Sequence, residues 1–285
     1  MRRSLLFIPA NSPAMLQNAD IFASDGVIFD LEDAVTLSEK DAALHLLDQY
    51  LNTTHFNTLE VIIRINGLDT KLGFRDLEFM IDNRIDTIML PKANVKTTLT
   101  LSHFLKRMER KKKLNKKIGI IPIIESASSV LEASEIAKID RVNGLLLGAE
   151  DLATDLEVER TQSGQEIFLA RSLVILVAKA NQIDAIDTPF THVDDEIALK
   201  EDSLLAKSLG MNAKACIHPL QIDIVNEVFS PGREEILYAQ KVLKAEVQAI
   251  KENKGAFSVD GKMIDKPIIY RAKKLLEKAE KWNLL

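Results

Sequence analysis

Ile118-Gly-Ile-Ile-Pro-Ile-Ile-Glu125-Ser126 and Gly144-Leu-Leu-Leu-Gly-Ala-Glu150-Asp151-Leu152 each read as an apolar strand that ends in acid. Their apolar parts are continuous rather than alternating. That is the pattern of strands in a parallel sheet covered on both faces. The acids fall at the C-terminal ends, where α/β folds place their ligands. Two carboxylates at neighbouring strand ends repel each other, and a hard cation such as Mg²⁺ relieves that repulsion while taking oxygen ligands. Glu125 and Asp151 are therefore a candidate metal pair. The competing reading is that each acid caps the helix that follows, since Ser126 and Asp151 stand where helices begin.

Outward from these two stretches, apolar runs recur at Ser4–Pro9, Gly26–Leu31, Glu60–Ile65, Thr87–Leu90, Ile118–Ile124, Gly144–Gly148, Asp184–Asp187 and Ala213–Ile217. Amphipathic stretches such as Glu39–Leu51, Phe74–Arg84, Leu99–Arg110 and Glu166–Asn181 lie between them. Strand–helix alternation implies right-handed βαβ units and a parallel sheet. Eight such units predict a closed (β/α)₈ TIM barrel. A doubly wound open sheet is the alternative, but Pro9-Ala-Asn-Ser-Pro13 is no glycine-rich phosphate fingerprint. At Ser230-Pro-Gly the pattern breaks. The expected organisation is a barrel over residues 1–229 and a C-terminal helical extension over 230–285. The extension holds a helix (Glu234–Lys251), a turn or hairpin (Gly255–Gly261) and a last helix from Pro267 to about Trp282.

The 285-residue length suits one such barrel, and 46% hydrophobic with 28% charged residues fits a soluble globular protein. The net charge, 37 − 42 = −5, argues against a general nucleic-acid surface. The basic run Arg107–Lys117 reads as a solvated helix face, or as a landing site for an acidic partner. The single cysteine, Cys216, forms no internal disulfide and favours a reducing, cytoplasmic setting. The N-terminal apolar run is too short for a signal peptide, and no stretch reaches membrane-spanning length.

The strand ends carry the chemistry. Asp30-Leu-Glu32-Asp33 follows the second run, three acids in four residues. Arg64 lies within apolar Val61-Ile-Ile-Arg64-Ile-Asn66, where a charge requires an anionic partner. That partner is structural (Glu32 or Asp33) or a substrate carboxylate held bidentately. Lys92 suits a Schiff base or neutralisation of nearby acids. His218 suits a general base or a packed rim position.

Taken together, several segments resemble a known family. They are Arg3–Pro9, Phe29–Val35 with Lys40 and Asp41, Arg64–Asn66, Leu90-Pro-Lys92, Ile124-Glu-Ser126, Gly148–Leu152, Ala185–Thr188, Ile217-His-Pro219 and Gly261–Asp265. In order and spacing the chain resembles the citrate lyase beta subunits of the aldolase and malyl-CoA lyase group. It departs at Ala10, where glycine is usual, and at Ala153–Glu157, which lacks a glycine. The resemblance implies a Mg²⁺-dependent carbon–carbon lyase that cleaves a citryl thioester, carried on CoA or a phosphopantetheine-type arm, to oxaloacetate and an acetyl thioester. It implies Glu125 and Asp151 as metal ligands, with Glu125 also at the substrate. Arg64 would hold the substrate carboxylate, and Glu32 and Asp33 would grip metal-bound water. Asp33, Arg64 and Asp265 would be catalytic, Asp265 reaching in from a neighbouring subunit of a homotrimer. A transferase (alpha) and an acyl-carrier (gamma) subunit are the implied partners. The alternatives are a stand-alone malyl- or citramalyl-CoA lyase and a catalytically silent scaffold.

Overall fold

The computed structural model describes residues 1–251 and 257–285. Eight parallel strands close into a barrel: β1 (Ser4–Pro9), β2 (Gly26–Asp30), β3 (Glu60–Arg64), β4 (Thr87–Leu90), β5 (Gly119–Ile124), β6 (Gly144–Leu147), β7 (Asp184–Asp187) and β8 (Ala213–Cys216). Between and after them run α1 (Pro13–Gln17), α2 (Lys40–Thr53), α3 (Lys71–Met80), α4 (Val95–Lys112), α5 (Ala127–Ala137), α6 (Ala149–Asp155), α7 (Phe168–Ala180), α8 (Glu196–Leu209) and α9 (Gln221–Phe229). The strand–helix alternation of the sequence is thus a (β/α)₈ barrel, with further helices C-terminal to it.

The strands are buried on both faces because side chains alternate between the barrel interior and the helix layer. Leu5, Ile28, Ile62, Met89, Ile121, Ile123, Leu146 and Ile186 fill the interior. This parity decides which polar residues reach the mouth. Two positions on from Ile28, Ile62 and Ile123, the inward side chains are Asp30, Arg64 and Glu125. The register sets Asp30 directly opposite Arg64. Asp187 has the other parity. It is fully buried with Arg171 of α7, Lys214 of β8 and Asp202 of α8, at distances of 2.6–3.1 Å. These two cations and two carboxylates balance one another between the sheet and the helices.

The chain divides into two compact units, Arg2–Asn226 and Glu227–Leu285 with Met1. In the second, α10 (Arg233–Lys251) lies against α11 (Lys266–Lys281), and the antiparallel pair β9 (Phe257–Val259) and β10 (Lys262–Ile264) packs beside them. Val242, Val259 and Ile264 lie at the centre of its core. Of the expected 255–261 turn, Gly255 and Ala256 lie outside the described residues, and the remainder forms this hairpin. Asp265 is the N-cap of α11, accepting the Ile268 N–H at 3.3 Å, with its side chain exposed. Among the described residues no helix is long and apolar enough to cross a membrane.

Candidate active site

The mouth is built around Arg64. Its Nε and Nη2 donate to Asp30 Oδ1 and Oδ2 at 2.7 and 2.6 Å. The counter-ion at the bidentate edge is thus Asp30, not Glu32 or Asp33. Nη1 faces Glu32 at 3.3 Å and Asp33 at 3.9 Å. The guanidinium lies over the Phe7 ring, 4.9 Å from its centroid. Burial disfavours the charged arginine, but the hydrogen bonds and charge of Asp30 more than reverse this, so Arg64 is a fixed cation. Asp30 is held in turn by the Glu32 and Ala34 N–H groups at 2.8 and 3.1 Å.

The acids around it exceed the charge it supplies. Burial pushes the Glu32 carboxyl up to about 8. Arg64 lowers it, but Asp33, Glu125 and Asp30 raise it further. Burial likewise pushes Glu125 up to about 7, with Asp151 and Asp33 adding to the shift against the Lys92 N–H and Arg64. Glu125 is not a helix cap: its Oε1 accepts the Lys92 backbone N–H. The capping of α5 is done by Ser126 with Ser129. Asp151 lies in the first turn of α6, whose N-cap is Gly148. Lys92 aims its N–H from a left-handed backbone, φ 49°, a conformation that costs a non-glycine residue about 1–2 kcal/mol. Its side chain is two-thirds exposed, with the ammonium 3.9 Å from Glu32, a placement that suits charge neutralisation rather than a desolvated Schiff-base amine.

Sequence alone does not single out Gly148. A Cβ there would stand 2.6 Å from Glu125 Cβ and 2.9 Å from its Oε2, so only glycine leaves the glutamate its place. Thr188 Oγ1 accepts the Ala149 N–H at 3.3 Å and so holds the start of the helix that carries Asp151. Beside Arg64 opens a cavity of about 270 Å³, lined by Phe7, Pro9, Met15, Asp30, Ala34, Arg64, Pro189 and Ile217. His218 sits at the rim, accepting the Leu220 N–H at 3.3 Å. Cys216 is fully buried with its thiol pushed up to about 12, which excludes a nucleophilic role.

Among the described residues no three His, Cys, Asp or Glu side chains converge as a closed metal cluster. Glu125 and Asp151 form an all-oxygen pair whose mutual repulsion a divalent cation would relieve. A hard ion of the Mg²⁺ type commonly takes only one or two protein carboxylates and completes its shell with water and substrate.

Residues 3–219 match the family model described as HpcH/HpaI aldolase/citrate lyase. The chain belongs to this family. Among curated relatives it is 38% identical to citrate lyase subunit beta of Leuconostoc mesenteroides subsp. cremoris, over all of this chain and 95% of that one. It is 33% identical to a (3S)-malyl-CoA thioesterase of Cereibacter sphaeroides, over 98% of this chain and 94% of that one. Among solved structures, protein CitE of Mycobacterium tuberculosis with magnesium, acetoacetate and coenzyme A shares 31% identity at a TM-score of 0.79, covering 98% of both chains.

Proposed function

We propose that this chain is a Mg²⁺-dependent carbon–carbon lyase that cleaves a citryl thioester to oxaloacetate and an acetyl thioester, as the beta subunit of a citrate lyase. Membership of the aldolase/citrate lyase family and the full-length likeness to citrate lyase beta subunits support it. The observation that carries it is Glu125, buried at the mouth beside Asp151, its carboxyl pushed up by burial and further by the Asp151 charge. Glu125 and Asp151 would hold the ion, which when bound supplies Lewis-acid polarisation of the oxygen that becomes the keto group.

The remaining roles fall to the chain itself. With the Nε edge of Arg64 taken by Asp30, a substrate carboxylate meets the guanidinium at Nη1. Glu32 lies beside that nitrogen, placed to hold ordered water. Asp33, with its side chain 66% exposed, is the acceptor of the tertiary hydroxyl proton. The C–C bond then breaks, its electron pair passing to the acetyl thioester as an enolate while oxaloacetate departs. Asp265 of a neighbouring copy returns a proton to that carbon. The assembly we propose is a cytoplasmic homotrimer that works with a transferase and an acyl-carrier subunit, since a head-to-tail ring gives every mouth one visiting tail.

Assay of the purified chain against citryl-, malyl- and citramalyl-CoA tests the reading. Preferential release of oxaloacetate from citryl-CoA supports it, and faster cleavage of malyl-CoA overturns it. Shared sites are tested by reassembling Asp265→Asn with Glu125→Gln. An equal mixture restores about a quarter of the sites if the tail serves a neighbour, and none if it serves its own barrel.

A further inference from the structure

Lys40 breaks two local rules. It occupies the first position of α2, where the helix dipole disfavours a cation. It is also 9% exposed, and burying an ammonium group is costly. Among the described residues its Nζ pairs with no carboxylate at ion-pair distance. It donates to the backbone carbonyls of Leu31 and Glu32 at 2.7 and 2.5 Å. These carbonyls open the loop after β2 that carries Glu32 and Asp33, and Glu32 O also accepts the Val35 N–H at 3.0 Å.

Asp76 of α3 is its counterpart with opposite charge. It is 1% exposed, and its Oδ2 accepts both the backbone N–H and the side-chain amide of Asn66, at 3.0 and 2.6 Å. Asn66 begins the loop after β3, two residues beyond Arg64. Among the described residues Asp76 Oδ1 has no hydrogen-bond partner, the nearest cation being Arg75 Nη2 at 3.7 Å. Burial pushes the Lys40 ammonium down and the Asp76 carboxyl up, and each group's charge partly opposes the other's shift. Each nevertheless spends its hydrogen bonds on a strand-end loop. The strands involved are adjacent, β2 and β3, the pair that sets Asp30 opposite Arg64. Buried charges that grip backbone rather than each other contribute little stability. What they fix is geometry, and residues that break local rules in this way mark function.

We infer that Lys40 and Asp76 are positioning residues: from behind the barrel mouth they clamp the 31–36 and 65–70 loops and so set Glu32, Asp33 and Arg64 at their working separation. For its catalytic consequence this rests on the lyase reading; the clamp itself does not.

The test compares the parent with Lys40→Met, Lys40→Arg, Asp76→Asn and the Lys40→Met/Asp76→Asn double variant. It reads steady-state cleavage of citryl-CoA with Mg²⁺ and amide hydrogen exchange of the Mg²⁺-free protein. Lys40→Met keeps the length of the stem and removes both carbonyl bonds. Its kcat should fall at least about tenfold while KM stays within about threefold. Lys40→Arg, which still donates, should recover part of the loss. The double variant should be no worse than the poorer single, because the two act as one unit. Amides of 31–36 and 65–70 should exchange at least about tenfold faster in Lys40→Met, with those of β5 and β6 unchanged. A folded Lys40→Met with kcat within about twofold of the parent, or with unaltered exchange in both loops, overturns the inference. If Lys40→Met does not fold, Asp76→Asn decides by the same two readouts. A parent that cleaves no citryl-CoA overturns the function proposed above, and the exchange comparison alone then decides the clamp.

Discussion

The two ends of the barrel are each built on an arginine among carboxylates, and they differ in how completely the charges are matched. At the closed end, Arg2 donates to both oxygens of Glu60 at 2.6 and 2.8 Å and to Asp184 at 2.9 Å. Further bonds run to the Asn143 carbonyl and side chain, and Thr87 donates to Glu60 at 2.6 Å. Burial alone would raise the Glu60 carboxyl, but the Arg2 bonds and charge outweigh it and hold it below its usual range. At the open end Glu32 is as deeply placed, yet it meets Arg64 only through Nη1 and is crowded by Asp33, Glu125 and Asp30, so its carboxyl rises to about 8. One end is a finished ion cluster. The other is an unfinished one, which in the proposed function a cation and an anionic substrate complete. Perturbation that nearby protein charges leave uncorrected is the mark of a functional site, and a buried arginine alone is not.

The largest effect should come from breaking the finished end. Arg2→Met leaves Glu60 and Asp184 without their cation and should cost about 3 kcal/mol of unfolding free energy, read by denaturant titration. A change below about 1 kcal/mol would mean that the lower cluster is no more than a surface pair. At the open end, Arg64→Lys keeps the charge but loses the fork. Oxaloacetate affinity should fall about tenfold, matching about 1.5 kcal/mol for one charged hydrogen bond, with the fold retained. Unchanged affinity would make Arg64 a structural counter-ion to Asp30 alone.

A pH-dependent effect separates the two glutamates. Glu32 has a raised folded pKa, so its folded form holds a proton that the unfolded chain has lost. Its contribution is present below pH 4.5 and disappears as pH rises towards about 8. Glu60, with a lowered folded pKa, contributes above its unfolded pKa and loses that contribution as pH falls through its folded value. In Mg²⁺-free protein, Glu32→Gln should therefore flatten the decline of stability between pH 6 and about 8. Glu60→Gln should leave that slope alone. The same slope in parent and Glu32→Gln would contradict the assignment.

The barrel was legible because strands covered on both faces leave continuous apolar runs, and eight of them recur between amphipathic helices. The same continuity hides parity. With no polar alternation to read, Asp187 looks like a mouth acid, although it faces the helix layer and closes a network with Arg171, Lys214 and Asp202. Asp30 was visible as one of three acids, but its bidentate grip on Arg64 follows only from the β2–β3 register. Arg2 reads as an ordinary charged terminus until Glu60 and Asp184 are brought to it across the barrel floor. Gly148 carries no chemistry of its own, and its role appears only when a Cβ is set against Glu125.

The proposed function requires the open end to be completed by a divalent cation held by Glu125 and Asp151. Calorimetric titration of Mg²⁺ into the oxaloacetate-loaded parent and into Glu125→Gln tests it most directly. The parent should bind one ion per chain, and the variant should bind at least about tenfold more weakly, the scale for disturbing such a site. Equal Mg²⁺ affinity in the two proteins would contradict the account and leave Glu125 as a buried acid that serves only to receive the Lys92 N–H.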